Sequence, residues 1–191
     1  MPSIFGYYLS RAEQYSCNGK SDELIVTTRR GKTGSATVMN NDKQALLQDD
    51  TSYINGDLVT NKSTNNQYFS VGKQSSTEAN QCQLRKINAT IDISRLTPHF
   101  TSGKQDGYSE VTLFSSIGSV QIDVTANMRL YDIGLLPTTT KKIIVKQTGI
   151  QKLDRIKFNG LNFQVDAIND SKYLNLYELQ VSLDTSRKVI S

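Results

Sequence analysis

Near the end of the 191-residue chain two alternating runs, Asp154-Arg155-Ile156-Lys157-Phe158 and Leu161-Asn162-Phe163-Gln164-Val165, meet at Asn159-Gly160. Asn-Gly readily takes φ > 0 at two successive positions, the backbone that a type I′ turn demands, so the two runs are predicted to form a β-hairpin. A two-residue turn fixes the register. It sets Phe158 opposite Leu161, Ile156 opposite Phe163 and Arg155 opposite Gln164, with one face apolar and the other polar and charged. A chain whose best-specified segment is a half-buried hairpin is expected to be built from strands throughout.

The other segments agree. Leu24-Ile25-Val26-Thr27-Thr28 is a β-branched run, and Ala36–Met39 is a short strand candidate after it. Asp42 to Leu47 reads as a helical turn or loop. Tyr53 to Val59 carries a second Asn-Gly, and Gln67 to Val71 alternates. Ile87, Ala89, Ile91 and Ile93 point one way while Asn88, Thr90, Asp92 and Ser94 point the other, which gives a strand with one wet face. A polar connection follows from Leu96 to Tyr108, punctuated by Pro98, Gly103 and Gly107. Val111 and Leu113 open the next strand, and Val120, Ile122 and Val124 alternate with Gln121, Asp123 and Thr125. Asn127 to Thr140 suits a short helix or irregular segment. Lys141 to Lys146 is a compact strand, and Tyr177, Leu179, Val181 and Leu183 complete the set.

Many short strands with turns at steady intervals predict an all-β fold, a small antiparallel β-barrel or sandwich with long loops and an N-terminal arm. The regular strands begin near residue 50. Residues 1–50 are therefore expected to form an arm and irregular extension, and residues 51–191 the β-barrel core. A hydrophobic fraction of 37% and a mean hydropathy of -0.43 suit strands with one wet face, or a subunit whose neighbours cover its remaining apolar surface.

Several classes of chemistry find little support. Cys17 and Cys82 have no Cys or His partner at a metal spacing, and one pair in a chain this long reads as reduced thiols, not a disulfide scaffold. No metal or cofactor is expected. The first residues lack a basic segment followed by a long apolar one, and no later run approaches membrane-spanning length, so neither export by a standard signal nor a membrane span is expected. His99 is the single histidine, and no G-x-S-x-G or cysteine-centred pattern accompanies it, so it reads as a solvated residue and the chain as a non-enzyme. Arg30-Gly31-Lys32-Thr33-Gly34-Ser35 contains Gly-Lys-Thr but has Thr27 where a phosphate-binding loop needs glycine. Net charge is +4, and two basic patches stand out, Arg29, Arg30 and Lys32 in a contact loop and Lys141, Lys142 and Lys146 in a strand. Both fit either a solvated face or contact with nucleic acid. Phe5, Tyr7 and Tyr8 lie on an arm that would want a partner surface.

The region from Asp106 onward resembles the head-closure proteins of tailed bacteriophages, also called stoppers or head–tail adaptors. Their order of elements is a polar loop, a glycine-containing strand pair, a basic β-rich strand and an Asn-Gly hairpin leading to a last alternating strand. Asp106-Gly107-Tyr108, Ile117-Gly118-Ser119-Val120, Lys142-Ile143-Ile144-Val145-Lys146 and the hairpin from Arg155 to Val165 look like these in turn. Gln83 to Ile91 is similar to a further segment of some neck proteins, whereas residues 1–50 have no counterpart. The resemblance implies a virion protein of the phage neck, assembled in the host cytoplasm as a homo-oligomeric ring between portal or adaptor proteins above and tail proteins below. Such a ring closes the filled head, docks the tail and lies in non-specific contact with packaged DNA. Family members obstruct the channel with a loop, for which Thr97, His99, Phe100, Lys104 and Asp106 are the candidates by position, with Arg29 to Ser35 second. Two alternatives stand beside this reading: a tail-tube, tail-terminator or baseplate β-protein, and a small ligand-binding β-domain.

Overall fold

The computed structural model describes residues 9–17, 20–28, 42–48, 53–75, 80–146 and 149–190. The fold is all-β and antiparallel, and the strands close into two six-stranded barrels. The chain divides into two compact units, residues 1–87 with 173–175, and residues 88–172 with 176–191. The division therefore falls between Ile87 and Asn88 and not near residue 50.

After a 3-10 turn at Leu9–Arg11, the first barrel is built from β1 (Glu13–Cys17), β2 (Lys20–Thr28), β3 (Asp42–Leu47), β4 (Leu58–Asn61), β5 (Gln67–Ser75) and β6 (Asn80–Lys86). Their order around the barrel is β1-β2-β3-β6-β5-β4, and pairing of Tyr15 to Asn61 and Cys17 to Val59 closes it. Three of its strands thus come from the stretch expected to be irregular. The period of two is present there but short: Tyr15 and Cys17 in β1, and Ala45 and Leu47 in β3, turn inward while their neighbours face out. Two inward residues per strand are too few to separate a strand from a helical turn in sequence. These side chains join Leu24, Tyr53, Val59, Tyr68, Cys82 and Leu84 in one core. Both cysteines are buried thiols in it. The Tyr15 and Tyr68 rings meet edge-on, 6.5 Å apart, and burial pushes both hydroxyls above their ordinary range.

The second barrel comprises β7 (Ala89–Thr101), β8 (Lys104–Asp123), α1 (Ala126–Tyr131), β9 (Lys141–Val145), β10 (Arg155–Phe158), β11 (Leu161–Tyr173) and β12 (Leu176–Leu183). The strand order is β10-β11-β12-β9-β8-β7, closed by pairing of Ile156 to Ile93. The Asn159-Gly160 hairpin has the predicted register, with φ of 48° and 74° at its two turn residues. Ile156, Phe163 and Val165 meet Ile91, Ile93, Ile143, Val145, Leu179 and Val181 in the core. Burial of each such side chain contributes about 1.5–3 kcal/mol. The predicted short helix is α1, capped by the Thr125 hydroxyl, which accepts from the Met128 N–H.

The polar face of the hairpin is not wet at its base. Arg155 is buried, and its guanidinium Nε donates to Asp184 Oδ2 at 2.9 Å while Nη2 donates to the Arg187 carbonyl. Lys142 is likewise buried, not part of a basic patch: it pairs with Asp132 and with Glu178 Oε1 at 3.5 Å, while Glu178 also takes Lys172 at 2.6 Å. Lys141 pairs with Asp123. Alternation tells which face a residue points to, but not whether a later segment covers that face.

Candidate functional site

The stretch read as a polar loop between Leu96 and Tyr108 is the outer part of one long hairpin. β7 and β8 stay paired from Ala89 with Ser119 to Thr101 with Lys104, and only Ser102 and Gly103 form the turn. Their φ angles of 53° and 79° make it a second type I′ geometry, carried here by Ser-Gly. Pro98 is tolerated because, among the described residues, no barrel strand pairs with the outer edge of β7 beyond Ser94. Gly107 marks no turn either, and its role is set by the segment that crosses it.

Three bulges shape this hairpin. The register slips between Ile91 and Ile93, between Ile93 and Ser94, and between His99 and Phe100. At the first, Ser116 takes φ of 53° and its N–H donates to Asp92 Oδ1 at 2.7 Å. Bulges raise local twist and bend the strands that carry them. Below the first two the hairpin lines the barrel; above them, Thr97 to Asp106, which contains the third, is exposed on both faces apart from a half-buried His99. The result is a two-stranded ribbon that outgrows its own barrel.

The third bulge places the extra residue, Asp106, opposite the gap between His99 and Phe100. His99 and Thr101, two apart on β7, share a face, and the bulge turns the Asp106 carboxylate onto it. Asp106 Oδ1 lies 2.7 Å from His99 Nδ1, and Oδ2 accepts from the Thr101 hydroxyl. The Thr101 bond, followed by the histidine contact, holds the carboxyl below its usual range. The hydroxyl donates to the carboxylate and not to the imidazole, so the three groups are not ordered as nucleophile, base and orienter. What the cluster does is cross-link the two strands near the tip. Phe100 is 60% exposed on the opposite face, and Lys104 sits beside the turn.

The base of the ribbon is held by ions. Ser94 and Lys157 both donate to Glu110, Lys157 at 2.9 Å; partial burial works against the charge, but these two bonds win and keep the carboxyl below its ordinary range. Arg95 grips the buried Asp154 with two bonds of 2.8 and 2.9 Å.

The structure therefore brings Thr97, His99, Phe100, Lys104 and Asp106 together on one projection. Phe5, Tyr7 and Tyr8, and Arg29, Arg30 and Lys32, lie outside the described residues. Sequence reading predicts the short helix α1 but not that the apolar side chains around it face outward. Leu130, Tyr131 and Ile133 are 74%, 82% and 102% exposed. They are held out by a pinned backbone: Gln180 takes the Leu136 N–H and donates to the Gly134 carbonyl, and Arg129 donates to the Pro137 and Thr139 carbonyls. The mixed spacing of apolar residues over Asn127–Thr140, matching neither period, was the available signal.

Among the described residues no group of three or more His, Cys, Asp or Glu side chains could hold a metal ion, and no helix is long and apolar enough to cross a membrane. Compared with protein-family models, with curated proteins and with solved structures, the chain matches none.

Proposed function

We propose that this chain is a structural subunit of a tailed-phage neck, one of a ring between portal and tail that closes the filled head and receives the tail. The observation that carries the reading is the β7–β8 ribbon. A plug for a channel must be stiff enough to resist the strand it retains, yet free of its own barrel so that it can reach the lumen. A doubly exposed hairpin, cross-linked near its tip by Asp106 and anchored at its base by Glu110 and Asp154, has those properties. The exposed Leu130, Tyr131 and Ile133 also support it, because a pinned apolar knob suits a subunit that lies against neighbours. The role is mechanical in this reading, with DNA contact non-specific and no reaction catalysed.

The ribbon can be shortened without losing its turn. Deleting Phe100, Thr101, Lys104 and Gln105 removes two residue pairs and leaves His99-Ser102-Gly103-Asp106. Particles assembled with this variant are expected to package DNA and then leak it. Particles that stay full and accept tails at the wild-type level would count against the ribbon as the plug.

A further inference from the structure

Where the ribbon leaves the barrel, a separate segment crosses it. The Tyr108 N–H donates to the Lys188 carbonyl at 3.0 Å and the Ile190 N–H donates to the Tyr108 carbonyl at 2.9 Å, which makes a parallel bridge between Tyr108 and Val189. Ile190 lies directly over Gly107. A Cβ at that glycine would sit 2.4 Å from Ile190 Cγ1, 2.5 Å from Cδ1 and 3.1 Å from the Lys188 carbonyl oxygen. Glycine is required here for close approach, not for turning. The root of the segment is fixed more firmly. Arg187 donates to Asp184 Oδ2 at 3.0 Å and to the Leu153 carbonyl at 2.6 Å, and Arg155 reaches the Arg187 carbonyl. One end is thus anchored by an ion pair and side-chain bonds to two backbone carbonyls, whereas the other is held by a single bridge and the half-buried Val189 and Ile190.

We propose that Arg187–Ile190 is a releasable brace for the ribbon. Laid across Gly107 it fixes the ribbon just below the Asp106 bulge; lifted, it lets the ribbon pivot there. The asymmetry of its attachment makes the distal end the part that lets go. The inference concerns how the ribbon is held and stands whether or not the chain serves a phage neck.

Two variants of the full protein test it. Gly107→Ala pushes Ile190 off the ribbon, and ending the chain after Arg187 removes the brace while keeping its ionic root. Hydrogen exchange of the amides of His99 and Thr101, which alternate with Pro98 and so point toward β8, and tryptic cleavage after Lys104, are followed beside the core amides of Ile143 and Ile156. Local opening predicts that ribbon exchange and Lys104 cleavage rise about ten-fold or more in both variants, with the core amides unchanged. Ribbon exchange at the wild-type rate in the shortened chain overturns the proposal. Equal acceleration of ribbon and core overturns it too, because the segment would then belong to the fold as a whole.

Discussion

Replacing Gly160 isolates the energetic content of the hairpin turn. At φ of 74° a Cβ would meet no heavy atom within 4 Å, so a substitution here costs backbone conformation and nothing else. An L-residue in the left-handed region loses about 1–2 kcal/mol, and alanine recovers about 0.4–1 kcal/mol by restricting the unfolded chain. Gly160→Ala is therefore expected to cost about 1 kcal/mol. Asparagine tolerates the region and should cost about half as much, whereas Gly160→Val, with its branch crowding the backbone, should cost about 2–3 kcal/mol. Urea unfolding measures the series. With a slope of about 2 kcal/mol/M, midpoints should fall by about 0.2, 0.5 and 1–1.5 M for Asn, Ala and Val, at constant slope. A valine variant with an unshifted midpoint, or an alanine variant as damaged as the valine one, would refute the reasoning. A fully folded valine variant that failed only in assembly would make the turn a contact site.

Lys142→Ala leaves Glu178 with Lys172 alone and the part-exposed Asp132 without its lysine, and is expected to lower stability by about 1–3 kcal/mol, while Lys142→Met with Glu178→Gln recovers most of that loss in a double-mutant cycle. Asp184, although burial opposes its charge, is held below the usual carboxylate range by Arg187 and Arg155. A depressed folded pKa contributes stability that is fully present above the unfolded value, about 4, and is lost as pH falls through the folded value. Urea midpoints measured from about pH 7 to pH 2.5 should therefore drop on the acid side, and Asp184→Asn should be weaker at neutral pH with a flatter acid limb.

The all-β class and the register of β10 with β11 were legible because both are local. Alternation and one Asn-Gly step determine them. The first barrel was legible only in part: Leu24 to Thr28 and Gln67 to Val71 read as strands, but β1 and β3 each bury two residues and depend on non-local partners on β4 and β6. The ribbon was misread as a loop for a different reason. Pro98 and Gly107 are ordinarily turn residues, but one sits on an unpaired edge and the other beneath Ile190, contexts that arise only from tertiary structure. Arg155 and Lys142 make the same point for the site: the outward face of a strand is polar in sequence whether water or a buried carboxylate waits there. His99 and Asp106 lie seven apart, and only the bulge between them explains their contact.

The neck reading turns on assembly, and mass photometry of the purified protein, alone and mixed with portal rings, tests it most directly. The account predicts monomers or small species alone and a discrete ring on the portal when the two are mixed. Tubes or stacked rings without portal would move the chain to the tail, and a monomer under both conditions would contradict the account.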